Sequence, residues 1–201
     1  MRQTRNLRAA LVAAFTMLAG GAALAASADW RQDASREDAE RVERLGRAWS
    51  SELAQARAQD LAGLRKLGAL ADPSVALRRP QPTPGAYQCR TVKLGGRGEL
   101  KSGLTVYGWF RCRVELTPGG DLTLTKVTGS QRPMGHLYPD GARRLVYLGA
   151  VAWADEARAV YGRDPERDQI GVVERIGENR WRLALPWPKQ ESTLDLIELR
   201  R

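Results

Sequence analysis

The chain has 201 residues, 43% hydrophobic and 27% charged, and its 32 Lys and Arg outnumber 23 Asp and Glu for a formal charge of +9. The basic residues are scattered among acids in no run longer than two, which argues against the clustered basic face of a nucleic-acid binder and for a mixed, solvated surface. One histidine, His136, excludes any multi-histidine metal centre, and two cysteines, Cys89 and Cys112, leave at most one disulfide.

Residues 1–28 carry a basic start (Arg2, Arg5, Arg8), an apolar run from Ala9 to Ala25, and small residues at Ala23-Leu24-Ala25 and Ala26-Ser27-Ala28. These are the three parts of a secretory signal peptide, with cleavage expected between Ala25 and Asp29. The run is shorter and richer in alanine than a membrane span of about 20 strongly apolar residues. No Arg-Arg pair points to the twin-arginine route, and no cysteine near the exit points to a lipid anchor. A periplasmic or secreted protein with no stable membrane span after cleavage is therefore expected. Arg2, Arg5 and Arg8 account for three of the nine excess charges, so the mature chain keeps a surplus of about six. What remains is long enough for one domain with a proper core.

The segment 29–77 reads as helical. Ser35-Arg36-Glu37-Asp38 has the spacing of a capping box. Beyond it, Val42, Leu45, Trp49, Leu53 and Ala56 recur at three- and four-residue steps, one apolar face of a helix running to about Arg57. Asp60 caps a second, shorter helix carrying Leu61, Leu64, Leu67 and Leu70, which Asp72-Pro73 ends. The proline-rich stretch 78–85 is predicted to be an extended connector.

From residue 86 to 201 the period changes to two. Leu104, Val106, Gly108, Phe110, Cys112, Val114 and Leu116 alternate with Thr105, Tyr107, Trp109, Arg111, Arg113 and Glu115 along one long strand. Further strands are expected at Ala86–Leu94, Leu122–Thr128, Gly135–Tyr138, Arg143–Ala150, Gly171–Ile176, Arg180–Leu185 and Thr193–Leu199. Turn chemistry separates them at Pro118-Gly119-Gly120-Asp121, Pro139-Asp140-Gly141, Gly177-Glu178-Asn179 and Pro186-Trp187-Pro188. Hairpin-length spacings favour an antiparallel meander, and closure removes exposed edges. The expected fold class is α+β: an amino-terminal helical pair packed on an antiparallel β-barrel or strongly curled β-sheet of about eight strands, as one folded unit. The interval Trp153–Asp168 breaks the meander, with a short helix expected over Trp153–Tyr161 and a charged loop over Arg163–Asp168 lying across a barrel mouth or sheet face.

In an exported chain an even cysteine pair is a disulfide, and neighbouring strands bring Cys89 and Cys112 together. The bridge is worth about 3 kcal/mol in the chain-entropy model. No C-x-x-C spacing gives it a redox role.

Catalytic constellations are mostly excluded. Thr128-Gly129-Ser130-Gln131-Arg132 is not a Gly-x-Ser-x-Gly nucleophile turn, so His136 reads as a structural or surface residue rather than a base for Ser130. Gly95-Gly96-Arg97-Gly98 reads as a hairpin tip, because neither a helix nor a Gly-Lys-Ser/Thr follows it. Two carboxylates such as Asp168 and Glu174 would supply acid and base for glycan hydrolysis, which requires a defined separation and a raised pKa on the acid. Their alternative is ion pairing with Arg163, Arg167 and Arg175. Arg132, with Arg163, Arg167 and Asp168 of the charged loop, forms a candidate anion-recognising mouth. Tyr107, Trp109, Trp181 and Trp187 either stack on a sugar or lipid there or fill the core. No catalytic residue, metal ligand or cofactor is assigned.

Several strings resemble a family of exported bacterial proteins designated domain of unknown function 4893. They are Leu70-Ala71-Asp72-Pro73, Gly85-Ala86-Tyr87-Gln88-Cys89-Arg90-Thr91-Val92-Lys93-Leu94-Gly95, Thr128-Gly129-Ser130-Gln131-Arg132, Tyr161-Gly162-Arg163-Asp164, Gly171-Val172-Val173-Glu174-Arg175-Ile176-Gly177 and Trp181-Arg182-Leu183-Ala184-Leu185-Pro186. The resemblance covers most of the mature chain. It implies an envelope protein and carries over no functional residue. The expected function is non-catalytic binding of a small ligand or an envelope partner, without nucleic acid. An envelope hydrolase using the paired carboxylates, and an inhibitor or assembly protein acting through an exposed patch, are the alternatives.

Overall fold

In the computed structural model, residues 29–96 and 103–201 are described. The predicted signal peptide, and Arg97 and Gly98 of the predicted hairpin tip, lie outside the described residues. Four helices come first: α1 (Trp30–Asp33), α2 (Arg36–Glu43), α3 (Leu45–Gln59) and α4 (Leu61–Leu67), the last running into a 3₁₀ turn, Gly68–Ala71. Eight strands follow: β1 (Gly85–Gly96), β2 (Leu104–Leu116), β3 (Leu122–Lys126), β4 (Gln131–Pro139), β5 (Arg144–Trp153), β6 (Asp168–Gly177), β7 (Arg180–Pro186) and β8 (Ser192–Arg200). Each pairs antiparallel with the next, and β8 pairs with β1, so the sheet is a closed barrel in sequence order.

Closure splits the apolar residues into two cores, because successive side chains on a strand point to opposite faces. Inside the barrel lie Tyr87, Cys89, Cys112, Val114, Leu124, Leu137, Tyr147, Val173, Trp181, Leu183, Ile197 and Leu199. Cys89 and Cys112 are joined there as a disulfide, with Cα atoms 5.8 Å apart. A second core lies between the outer wall and the helices, where Val92, Leu94, Val146, Leu148, Ile170, Val172, Leu194 and Leu196 meet Trp30, Val42, Leu45, Trp49, Leu64 and Leu70. Strand β5 is buried on both faces for this reason, and its near-continuous apolar run reflects it.

The helical part differs from expectation in three ways. A further short helix, α1, precedes the capping box, its N-cap Asp29 accepting from the Arg31 N–H. The predicted first helix is interrupted at Arg44 (φ −91°, ψ 5°), where α2 ends and α3 begins, and both helices keep apolar residues in the core against the barrel wall. The helix expected over Trp153–Tyr161 does not form. Strand β5 continues through Trp153, Ala154 takes a left-handed φ of 43°, and Tyr161 leaves the loop to accept from the Ser35 N–H at 2.9 Å. A short apolar repeat in a loop cannot compete with a strand still paired to Gln131 and a tether on α2.

Strand bounds mostly agree within a few residues. Strand β4 starts at Gln131, earlier than expected, because Pro133 sits beyond the last β3 pair (Thr125 with Met134), where a missing N–H costs no ladder bond. Strand β2 departs from strict alternation. A bulge between its Trp109 and Val106 pairs disrupts the register, and Val106, Tyr107 and Trp109 are all exposed.

Candidate binding site at the open end of the barrel

The two ends of the barrel are built differently. Across one runs the proline-rich connector. Leu77 N–H donates to the Arg175 carbonyl at 2.9 Å, Arg79 N–H to the Ala142 carbonyl at 3.1 Å, and the Tyr87 hydroxyl to the Thr83 carbonyl at 2.7 Å. Pro80 and Pro82 are buried there. Those contacts close this end with the stiffest residues in the chain.

The other end keeps a cavity of about 120 Å³ lined by Thr91, Lys93, Tyr107, Phe110, Lys126, Ser130, Gln131 and Glu191. Position along the strands explains the lining. Residues 87, 89, 91 and 93 share the inward face of β1, so the apolar Tyr87 and Cys89 lie deep and Thr91 and Lys93 lie toward the rim. Opposite Lys93 on β8 is Asp195, on the same inward face as Ile197 and Leu199.

Lys93, only 2% exposed, donates to Asp195 at 2.9 Å and has Glu191 at 3.7 Å. Ser192 donates to the second oxygen of Asp195. Burial raises the Asp195 carboxyl, with Lys93 and the Ser192 hydroxyl opposing it. Lys126, 5% exposed, donates to the Gln131 carbonyl at 2.8 Å and lies 3.8 Å from the centre of the Phe110 ring. No carboxylate forms an ion pair with it among the described residues. Burial, with the Lys93 charge adding to it, pushes the Lys126 ammonium down to about 8.

The residues singled out from the sequence lie elsewhere on the molecule. Arg132 and Arg167 meet around Glu156: Arg132 donates to the Glu156 carbonyl at 2.6 Å and Arg167 forks onto its carboxylate, one contact at 3.2 Å. The Arg167 hydrogen bond holds the Glu156 carboxyl below its ordinary value. Two guanidiniums are thus gathered, but the protein's own Glu156 takes the charge of Arg167. Asp168 accepts from the Gly162 N–H at 2.9 and 3.1 Å, and burial raises its carboxyl. Arg163 is exposed at the loop surface. Glu174 belongs to the helix-covered wall, where it receives Nε and Nη2 of Arg182, whose remaining nitrogen, Nη1, donates to the carbonyls of Leu70 at 3.1 Å and Asp72 at 2.8 Å.

Asp168 and Glu174 are six residues apart on one face of β6, about 20 Å along the strand. They share no cleft, and Glu174 is already paired with an arginine. The carboxylate-pair reading has no geometric support.

The aromatics divide as well. Trp181 is inside the barrel, edge-on to Tyr87 at 5.7 Å. Trp187 is half-buried under Arg44, and Tyr107 lines the cavity. Trp109 stands on the outer wall with the guanidiniums of Arg90 and Arg200 each 5.0 Å from its ring. His136 is exposed on β4, and among the described residues no cluster of His, Cys, Asp and Glu forms a metal site.

Lys93, Lys126 and Asp195 were not singled out from the sequence, although it carries a signal for them. Each is a charge on the same face of a strand as neighbouring apolar core residues, and the charges of β1 and β8 are directly paired. Reading that signal needs the β1–β8 register, which closure supplies.

No curated protein and no solved structure matches the chain. One family model, described as domain of unknown function (DUF4893), matches residues 30–199, from the first helix into the last strand. With its helices and closed barrel falling inside that span, the chain belongs to the DUF4893 family.

Proposed function

We propose that the protein is an exported, non-catalytic binder of a small ligand, held in the open end of the barrel. The carrying observation is the asymmetry of the barrel: one end is closed by the connector, and the other keeps a polar-rimmed cavity of about 120 Å³. A concave site with a few convergent polar groups on a rigid wall is what small-molecule recognition requires. The paired cysteines and the leader-like residues 1–28 support export to the periplasm or beyond.

Native mass spectrometry of protein purified from the envelope of its own bacterium tests this reading. A co-purifying small molecule is expected, on a chain that begins between Ala26 and Asp29. A ligand-free chain that retains its leader would sink it.

A surface-acting partner protein is the second reading. It is favoured by Trp109, 43% exposed between two arginines, beside exposed Val106 and Tyr107. The same spectrum would then show a protein complex.

A further inference from the structure

We infer that the cavity receives a small organic anion, with Lys126 as the positive group that meets its charge and Phe110 and Tyr107 as the walls for its body. This rests on the proposed binding at the open end of the barrel and adds the chemical class of the ligand.

The charge balance of the cavity carries the argument. Lys93 faces two carboxylates, Asp195 at 2.9 Å and Glu191 at 3.7 Å, so its charge is met within the protein. Lys126 is nearly as buried and, among the described residues, has one carbonyl and one aromatic face. An ammonium has three donors, and a buried cation without a counter-ion is costly. An anion in the cavity supplies that counter-ion. A cationic ligand would instead stand against the uncompensated charge of Lys126.

Size and polarity narrow the class. About 120 Å³ is room for about four waters, enough for one ionised group and a short or flat body but not for a polymer segment. Thr91, Ser130 and Gln131 offer hydrogen bonds at the rim, while Phe110 and Tyr107 offer apolar surface. Beneath lies a cleft of only about 10 Å³, lined by Lys126, Cys112, Leu124, Pro133, Tyr147, Leu183 and Ile197, too narrow for an acyl chain.

The test uses the mature full-length protein and four probes: benzoate, its neutral counterpart benzamide, benzylammonium, and inorganic phosphate. Calorimetry is expected to show benzoate binding with a Kd of about 1 mM or tighter. Benzamide and phosphate should bind at least about tenfold weaker and benzylammonium not at all, as a charged hydrogen bond combined with an apolar wall dictates. Equal binding of benzamide overturns the anion assignment. Tighter phosphate overturns the organic body, and no benzoate binding overturns the inference outright.

Backbone chemical shifts of Thr91, Ser130 and Gln131 separate this from the broader reading. If benzamide perturbs them as benzoate does, only the ligand class fails. If no probe moves them and no small molecule co-purifies, the binding site itself fails.

Lys126→Met should weaken benzoate by about 10- to 100-fold and raise the melting temperature, because it removes an unpaired buried cation. A merely structural lysine would lower the melting temperature instead. Wild-type benzoate affinity should fall about tenfold per pH unit above about 8, as Lys126 loses its proton. The groups around Lys126 are Lys93 on β1, Tyr107 on β2, Tyr147 on β5, Asp195 on β8 and Glu191 before it, with Arg132 and Arg158 on its outer side. Any pH effect they cause persists in Lys126→Met, so an equal slope in that variant refutes the role of Lys126.

Discussion

Glu198 and Lys126 are buried charges in the same barrel, and their surroundings treat them oppositely. Glu198 is fully buried and accepts from Arg90 at 2.6 Å, Arg180 at 2.7 Å and Arg200 at 2.6 Å. Burial alone would raise its carboxyl, but the three arginine hydrogen bonds outweigh burial and hold it below the ordinary 4.5. Removing that charge leaves three guanidiniums facing one another, so Glu198→Gln should cost about 3 kcal/mol in urea unfolding at neutral pH. A folded-state pKa that is depressed contributes stability above the unfolded value and loses it as pH falls through the folded one. The gap between wild type and Glu198→Gln should therefore close in acid. Among the described residues Lys126 has no carboxylate partner, and that difference separates a charge satisfied within the fold from the one proposed to meet a ligand. Residue types alone do not distinguish them, because both stand in alternating strands among apolar neighbours.

At the scale of elements, the loop between β5 and β6 joins the helices to the barrel. Tyr161 accepts from the Ser35 N–H at the α2 N-cap and donates to Asp38, which also holds the buried Arg41. Tyr161→Phe removes both bonds and leaves a capping N–H and a carboxylate short of partners. The expected loss is about 1–2 kcal/mol, with faster hydrogen exchange along α2 than along the strands. A variant whose α2 exchange is unchanged would show the tether to be idle. The apolar faces of α2, α3 and α4 were legible from the 3.6-residue repeat, and the Ser35 cap from its spacing, whereas α1 was not. The break at Arg44 was not, because Val42, Leu45 and Trp49 satisfy one continuous helical period whether or not the helix is interrupted there. The loop was expected to lie across a barrel mouth or a sheet face. Its fastening to α2 depends on a tyrosine finding a cap 126 residues away.

At the scale of the molecule, the outer wall of the barrel is apolar where α2, α3 and α4 lie on it. Val92, Leu94, Val146, Leu148, Ile170, Val172, Leu194 and Leu196 are all nearly fully buried against them. At roughly 1.5–3 kcal/mol for each large side chain, exposing them costs more than a domain of this size has in reserve. Residues 78–201 produced without the helices should therefore be insoluble, and supplying residues 29–77 should restore solubility. A soluble, folded barrel from 78–201 alone would show the helices to be dispensable.

Local chemistry in the sequence determined the eight strands and most of the helical segment: a helix cap, two apolar periods, turn residues and a proline connector each act within a few residues. It also determined the cysteine pairing, since two cysteines in neighbouring strands have no other partner. Tertiary structure decided which charges are functional candidates. Arg132, Arg167 and Asp168 looked free in the chain and are engaged within the fold, while Glu174 is committed to Arg182. Lys93 and Lys126 looked like ordinary strand lysines and are brought together inside the open end of the barrel. The reason is closure: only when β8 pairs with β1 do positions about a hundred residues apart share one interior, and neither period nor spacing in the chain encodes which charges meet there.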